Sequence, residues 1–216
     1  NVTNATLGMN NYAYRVIVTG ACAPSVTSVC VVLTVNSAPV FTSQPNAVTT
    51  CAGTDATFSV TASGTNIAYN WQVSTDGGAT WNNLSPAVTT ATLTLSNVAA
   101  AMNNNQYRVQ MTGSGTCTTP VISNAVTLAV NAAPSVTASP TDANVCDGAD
   151  VSFTGTATGN GLSYQWQQST TGCGGTFTDI AGATSLNYNI TGVTVALEGY
   201  AYRLVISGTC SPAAIS

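Results

Sequence analysis

The chain has 216 residues and a formal charge of −4, with 5% charged residues, no His, and three Arg as its basic side chains. That balance excludes a phosphate-backbone surface, which draws on clustered Lys and Arg, so no nucleic-acid partner is expected. It also removes the commonest general base and metal ligand, and no apolar run is long enough to span a bilayer.

Hydrophobic residues at 44% are enough for a core. Any export signal is expected outside these residues. Seven Cys in so short a chain point to an oxidising compartment. Their odd number leaves at least one without an internal partner.

In chain order, the elements read as short strands. Tyr14-Arg15-Val16 reads as a strand, followed by a last strand in which Val31, Leu33 and Val35 point inward and Cys30 outward. Phe58, Val60 and Ala62 alternate with Ser and Thr. Tyr69, Trp71 and Val73 alternate with Asn70, Gln72 and Ser74. Asp76-Gly77-Gly78 is a hairpin signal. Leu93 and Leu95, then Tyr107, Val109 and Met111, continue the period of two, and Gly113-Ser114-Gly115 is a turn. Val126, Leu128 and Val130 make a final strand. No stretch keeps a helical period, and about seven strands in such a unit is the pattern of a β-sandwich.

The pattern repeats. Val35–Pro39 (VNSAP) returns as Val130–Pro134 (VNAAP), 95 residues later. At the same offset Cys51 matches Cys146, Phe58 matches Phe153, Trp71 matches Trp166, and Tyr107 matches Tyr202. Tyr14-Arg15-Val16 is a third copy of Tyr107-Arg108-Val109 and Tyr202-Arg203-Leu204. The chain is thus expected to hold the C-terminal part of one repeat (1–37), a complete repeat (38–132), and a repeat lacking its last strand (133–216), as a slice of a longer tandem array. Pro39 and Pro134 hold the residue before them extended, which suits stiff linkers.

The order of core residues resembles an immunoglobulin-like domain. Phe58-x-Val60-x-Ala62 takes the place of strand B, Tyr69-x-Trp71 of strand C, and Tyr107-x-Val109 of strand F with its corner tyrosine. The resemblance implies an all-β fold of tandem immunoglobulin-like sandwiches in an extended array, with Trp71, Trp166, Tyr107 and Tyr202 in the cores. Val60 and Val109 stand where that fold places its two core cysteines, so the usual inter-sheet disulfide is missing. In its place Cys51 is expected to pair with Cys117, and Cys146 with Cys210, because both longer copies carry both positions. Each loop would be worth about 4 kcal/mol by chain entropy. Cys22 would be the Cys117 counterpart of the first copy, with its partner upstream.

The pattern C-x-G-x-D-x-x-F…Y-x-W-Q…G-G…W/F…Y-R-V…G-x-C is similar to tandem repeats of giant secreted surface proteins of Bacteroidetes, including gliding-motility adhesins of the SprB kind. That resemblance implies type IX secretion and an extracellular, cell-surface location.

Candidate sites are few. Arg15, Arg108 and Arg203 are expected on the outer sheet face with Gln72, as scaffold or as regularly spaced glycan contacts. All three are expected inside strands, and so closed to trypsin. Trp81 and its counterpart Phe177 are grouped with the inward aromatics rather than with a carbohydrate platform. Tyr12 and Tyr200 are read as exposed. Asp55 and Asp150 read as turn caps, and Asp147 with Asp150 makes a poor calcium site.

Cys22, Cys30 and Cys173 are candidates for inter-domain or inter-chain cross-links. No catalytic, metal or cofactor set is expected. The role this supports is a stalk, fibre or adhesin shaft rather than an enzyme, with a carbohydrate- or protein-binding module as the alternative. Partners would be neighbouring repeats of the chain, other chains in a filament, or surface glycans.

Overall fold

The computed structural model describes all 216 residues. Its strands in chain order are β1 (Ala13–Tyr14), β2 (Ile17–Val18), β3 (Val26–Thr27), β4 (Val31–Val32), β5 (Val40–Ser43), β6 (Val48–Cys51), β7 (Ala56–Ser59) and β8 (Thr61–Ser63). Then come β9 (Ala68–Ser74), β10 (Asn82–Asn83), β11 (Thr92–Leu95), β12 (Gln106–Thr112), β13 (Val121–Ile122) and β14 (Val126–Asn131). The last are β15 (Ser135–Ala138), β16 (Val151–Thr154), β17 (Thr156–Thr158), β18 (Ser163–Ser169), β19 (Thr178–Asp179), β20 (Asn187–Ile190), β21 (Ala201–Ser207) and β22 (Ala214–Ile215). Helix is limited to three single 3-10 turns, at Leu7–Met9, Ala100–Met102 and Val195–Leu197. The fold is all-β.

The chain forms two compact units. Residues 1–48, 57–94 and 105–127 make the first, and residues 49–56, 95–104 and 128–216 the second. Neither coincides with a repeat of the sequence, because the division passes through residues 38–132.

In the first unit β9 and β12 pair antiparallel over their full length, from Ala68↔Thr112 to Ser74↔Gln106. The β9–β10 hairpin turns at Asp76-Gly77-Gly78, where both glycines take positive φ (73° and 95°) that a side chain would strain. On the other edge of β12, Tyr107 faces Val126 of β14. Period-two alternation buries Tyr107, Val109 and Met111 and leaves Arg108 and Gln110 half-buried. Phe58, Trp71 and Leu93 complete this core, each 1% exposed or less. The Phe58 ring stacks on Tyr107 at 5.0 Å, and the Trp71 indole N–H donates to Thr90 O.

Ser74 departs from its expected outward place and is fully buried, while Val73 is half-buried. The strand ends there, and the Ser74 hydroxyl turns into the hairpin. It donates to Asp76 (2.7 Å) and accepts from Gly78 N (2.8 Å).

The first segment also departs from expectation. Its strand splits: β1 pairs with β4 and β2 with β3, and Arg15 and Val16 fall in the gap, both exposed. Val16 N–H donates to the Ser28 hydroxyl, and Ser28 N–H returns a bond to Val16 O. The same exchange recurs as Val109 with Ser123 and as Leu204 with Ser216. There the strand stays continuous, because β9 or β18 pairs along its whole opposite edge. No strand pairs with the opposite edge of the Tyr14–Val18 segment, so the serine insertion divides it.

In the second unit the sheet order is β19-β18-β21-β22. Trp166 sits opposite Leu204, and both are fully buried with Ile206. Phe153 stacks on Tyr202 at 5.1 Å, as Phe58 does on Tyr107. Both Phe153 and Tyr202 are only half-buried, because the edge of β21 that would correspond to the Tyr107↔Val126 pairing carries no strand.

The shorter stretches of this unit hold one another. Ala52 N donates to Asn131 O, Gly53 N to Val98 O, Val98 N to Thr54 O, and Asn104 N to Leu128 O.

Each linker proline is seated between two glycines. A Cβ on Gly64 would come within 2.9 Å of Pro39 Cα, and one on Gly113 within 3.1 Å of Pro39 Cδ. Gly159 and Gly208 hold Pro134 in the same way. Close backbone approach therefore requires glycine here.

Candidate functional site

The expected disulfides are corrected by the structure. Cys51 is bonded to Cys210, with Cα atoms 5.7 Å apart, and Cys117 and Cys146 are free thiols. The physical reason is visible within the second unit. The turn carrying Cys146 is held to the segment that leads into β21: Gly148 N donates to Val193 O, and Asp147 accepts from Val195 N. Cys210 follows the far end of that strand. Seven residues of strand span about 23 Å, well beyond the roughly 7 Å Cα limit for a disulfide. The Cys51 turn is held in the same way, with Gly53 N on Val98 O and Asn97 N on Asp55. It lies against Asn131, through Ala52 N, and Cys210 Sγ is 3.5 Å from that same Asn131 carbonyl oxygen. The bond thus joins two successive sequence repeats at the point where the chain passes from one to the next.

Cys22, Cys30 and Cys173 are free and exposed. Cys30 follows the exposed segment before β4, and Cys173 lies in the hairpin between β18 and β19.

Arg108 and Arg203 form a second repeated arrangement. Arg108 Nε donates to Gln72 Oε1 at 2.8 Å, and its Cζ lies 4.1 Å from the Trp81 ring centroid. Arg203 Nε donates to Gln167 Oε1 at 2.7 Å, and its Cζ lies 4.1 Å from the Phe177 centroid. Alternation along β12 and β21 sends these side chains to the outer face, where the cross-strand Gln is directly opposite. Trp81 and Phe177 are therefore outer-face residues rather than members of the inward set, a correction to the sequence reading. Trp81 N–H donates to Gly78 O, which fixes the ring over the hairpin. The signal was the aromatic at matching positions after both hairpins, in each longer repeat that carries the Tyr-Arg step. Arg15 lies in the β1–β2 gap without such a partner.

The carboxylates act as local braces. Asp55 accepts from Asn97 N and Asp150 from Gly192 N, each tying the turn before a strand to a turn 42 residues later. Asp76 accepts from the Thr80 hydroxyl, Thr80 N and the Ser74 hydroxyl, and these bonds hold its carboxyl well below the usual range. Burial pushes the Tyr107 and Tyr202 hydroxyls upward in pKa. No group of three or more His, Cys, Asp or Glu is placed to hold a metal ion. No helix is long and apolar enough to cross a membrane.

A cavity of about 350 Å³ lies in the second unit, beside the open edge of β21. Phe153, Ile190, Leu197, Tyr200 and Tyr202 line it, with Asp147 and Glu198 at its polar side. Tyr200, expected to be exposed, is half-buried against this cavity, whereas Tyr12 is 53% exposed.

Residues 42–132 and 135–216 each match the family model described as "Domain of unknown function (DUF8696)". No curated protein matches the sequence. Among solved structures, DIP-gamma IG1+IG2 is 18% identical with a TM-score of 0.59, over 83% of this chain and 94% of that one. An I-band fragment from titin is 17% identical with a TM-score of 0.61, over 85% of this chain and 64% of that one. Sidekick-1 immunoglobulin domains 1–5 are 16% identical with a TM-score of 0.54, over 98% of this chain and 46% of that one. At such identities the likeness is one of fold: tandem immunoglobulin-like domains.

Proposed function

We propose a mechanical role for this chain, which belongs to the Domain of unknown function (DUF8696) family: it is a repeat segment of a stalk, fibre or adhesin shaft in a large extracellular surface protein, and not an enzyme. The observation that carries this reading is the Cys51–Cys210 bond between successive repeats. A load applied along the chain passes through that covalent link instead of through the weaker contacts between strands. Linker prolines clamped between glycines support the same reading.

A disulfide among seven cysteines suits an oxidising, extracellular setting, and the absence of Lys suits exposure to proteases. The surface of a Bacteroidetes cell, with export by the type IX route as in gliding-motility adhesins of the SprB kind, is part of this proposal and rests on the sequence pattern.

Single-molecule stretching tests it. Under oxidising conditions the segment between Cys51 and Cys210, a separation of 159 residues, stays out of the extension. Reduction releases roughly 550 Å of added contour length. An unfolding force no higher with the bond intact than after its reduction would remove the mechanical reading.

A further inference from the structure

The bond between Cys51 and Cys210 uses one cysteine from each of two positions that every longer copy carries. Cys51 and Cys146 stand at the turn that leads into the strand bearing Phe58 or Phe153, Cys51 as the last residue of β6. Cys117 and Cys210 occupy the turn after the strand that bears Tyr107 or Tyr202. In this chain the bond takes the first position of one repeat and the second position of the next. One cysteine of each repeat is left over: Cys117, in the position of bonded Cys210, and Cys146, in the position of bonded Cys51.

The leftover cysteines keep the surroundings of the bonded ones. Cys210 Sγ lies 3.5 Å from the carbonyl oxygen of Asn131, and Cys117 Sγ lies 3.5 Å from that of Asn36, the matching linker residue one repeat earlier. The linker is held alike in both places. Ala132 N donates to Asn160 Oδ1 and Ser37 N to Thr65 Oγ1, while Asn160 N returns to Ala132 O and Thr65 N to Ser37 O.

The Cys146 turn matches the Cys51 turn equally well. Gly148 N bonds Val193 O as Gly53 N bonds Val98 O, and Asp150 caps Gly192 N as Asp55 caps Asn97 N. The half-site geometry is therefore built at Cys117, and at Cys146 the turn is built while the strand pairing and the linker contact that hold Cys51, through Ala52 N on Asn131 O, are not made.

We infer that Cys117 and Cys146 are the two open ends of a disulfide ladder, in which each repeat's pre-strand cysteine is bonded to the post-strand cysteine of the repeat that follows it. Cys117 takes a Cys51-type cysteine from a preceding repeat, and Cys146 takes a Cys210-type cysteine from a following one. Cys22 is a further post-strand member. Cys30 and Cys173 have no counterpart in the other copies and lie outside the ladder.

Each rung forms from two thiols. They lose two protons and two electrons to a disulfide oxidant by thiol–disulfide exchange, and the oxidant leaves as a dithiol. Because Cys117 and Cys146 both fall between Cys51 and Cys210 in sequence, successive loops overlap. No repeat can be drawn out until a rung on each side is cut.

The inference stands on the local geometry and not on the mechanical reading. Rungs mapped in a chain that unfolds at the same low force with and without reductant would keep this inference and remove that one.

The test supplies the missing repeats. Ser216 is the counterpart of Ser123, so a second copy of residues 124–216 placed directly after Ser216 continues the chain in register. A copy of residues 38–93 placed before Asn1 completes the first repeat in the same way. After oxidative refolding, non-reducing peptide mapping is expected to join Cys146 to the added copy of Cys210, and Cys117 to the added copy of Cys51, beside Cys51–Cys210. In the extended Cys146→Ser variant, the added copy of Cys210 becomes open to alkylation.

On the 216-residue chain itself, native alkylation is expected to label Cys117 and Cys146 and to spare Cys51 and Cys210. This second measurement needs no added segment to fold. Cys146 or Cys117 labelled in the folded extended chain, a Cys117–Cys146 bond, or labelling of Cys51 in the parent would each overturn the ladder.

Discussion

The Arg108 guanidinium carbon lies 4.1 Å from the centre of the Trp81 ring, with Nε bonded to the cross-strand Gln72. Arg203 repeats the arrangement on Phe177 and Gln167. The flat cation covers the outer face of the sheet and pins the hairpin that carries the aromatic, a use of the side chain that needs a planar group.

The pair predicts a measurable coupling. A stacked guanidinium contributes about 0.5–1 kcal/mol at a partly exposed site. Arg108→Ala and Trp81→Ala should each destabilise the first unit, and their double-mutant cycle in denaturant unfolding should show coupling of about that size. Arg108→Lys keeps the charge but loses the plane, and should behave more like Ala than like the parent. A coupling of zero would mean the contact contributes nothing.

Protease cutting should be selective. Arg15 lies exposed in the gap between β1 and β2, whereas Arg108 and Arg203 are inside seven-residue paired strands. Native trypsin is expected to cut once, after Arg15, and to leave residues 16–216 intact. Mass spectrometry of the digest reads this directly. Early cleavage at Arg108 would show β12 opening at low cost.

The disulfide predicts strong non-additivity. Cys51→Ser, Cys210→Ser and the double variant all remove the same bond, so all three should lose the same stability. The chain-entropy model sets that loss at about 5 kcal/mol or less for so long a loop. If the double variant lost the sum of the singles, the two cysteines would be acting separately.

Asp76 predicts an acid-sensitive hairpin. Its folded pKa is depressed by the Thr80 and Ser74 hydrogen bonds, so its contribution is fully present above the ordinary Asp value of about 3.9. It is lost as pH falls below that value and through the lower folded one. Thr80 amide protection, followed by hydrogen exchange, should hold at pH 5 and decline towards pH 2. In Asp76→Asn, protection at pH 5 should already be reduced.

Much of the fold is written in single residues of the sequence. Tyr107, Val109 and Met111 fall at period two and are buried, and Phe58, Trp71, Trp166 and Leu204 are core residues for the same reason. Hydrophobic alternation is a local property, so one strand at a time reveals it. The hairpin at Gly77 and Gly78 was equally legible, since the backbone there demands residues without a Cβ. Three repeats of Val-x-Ser or its like, ending at Ser28, Ser123 and Ser216, were present too. Their role as hydroxyl acceptors inside a strand pair became visible only with the ladder in place.

The sequence by itself determined that the chain is all-β and repeating, which positions are equivalent, and that its cysteines come at matched places. It could not assign which sulfur meets which, because equivalence along the chain carries no record of which end of a strand a turn occupies. Only the tertiary structure decided that. A seven-residue strand separates Cys146 from Cys210, while the passage of the chain at Asn131 brings Cys51 of one repeat against Cys210 of the next. Periodicity follows from local chemistry, whereas a disulfide requires two Cα atoms within about 7 Å, and that distance is set by how antiparallel strands turn the chain back on itself.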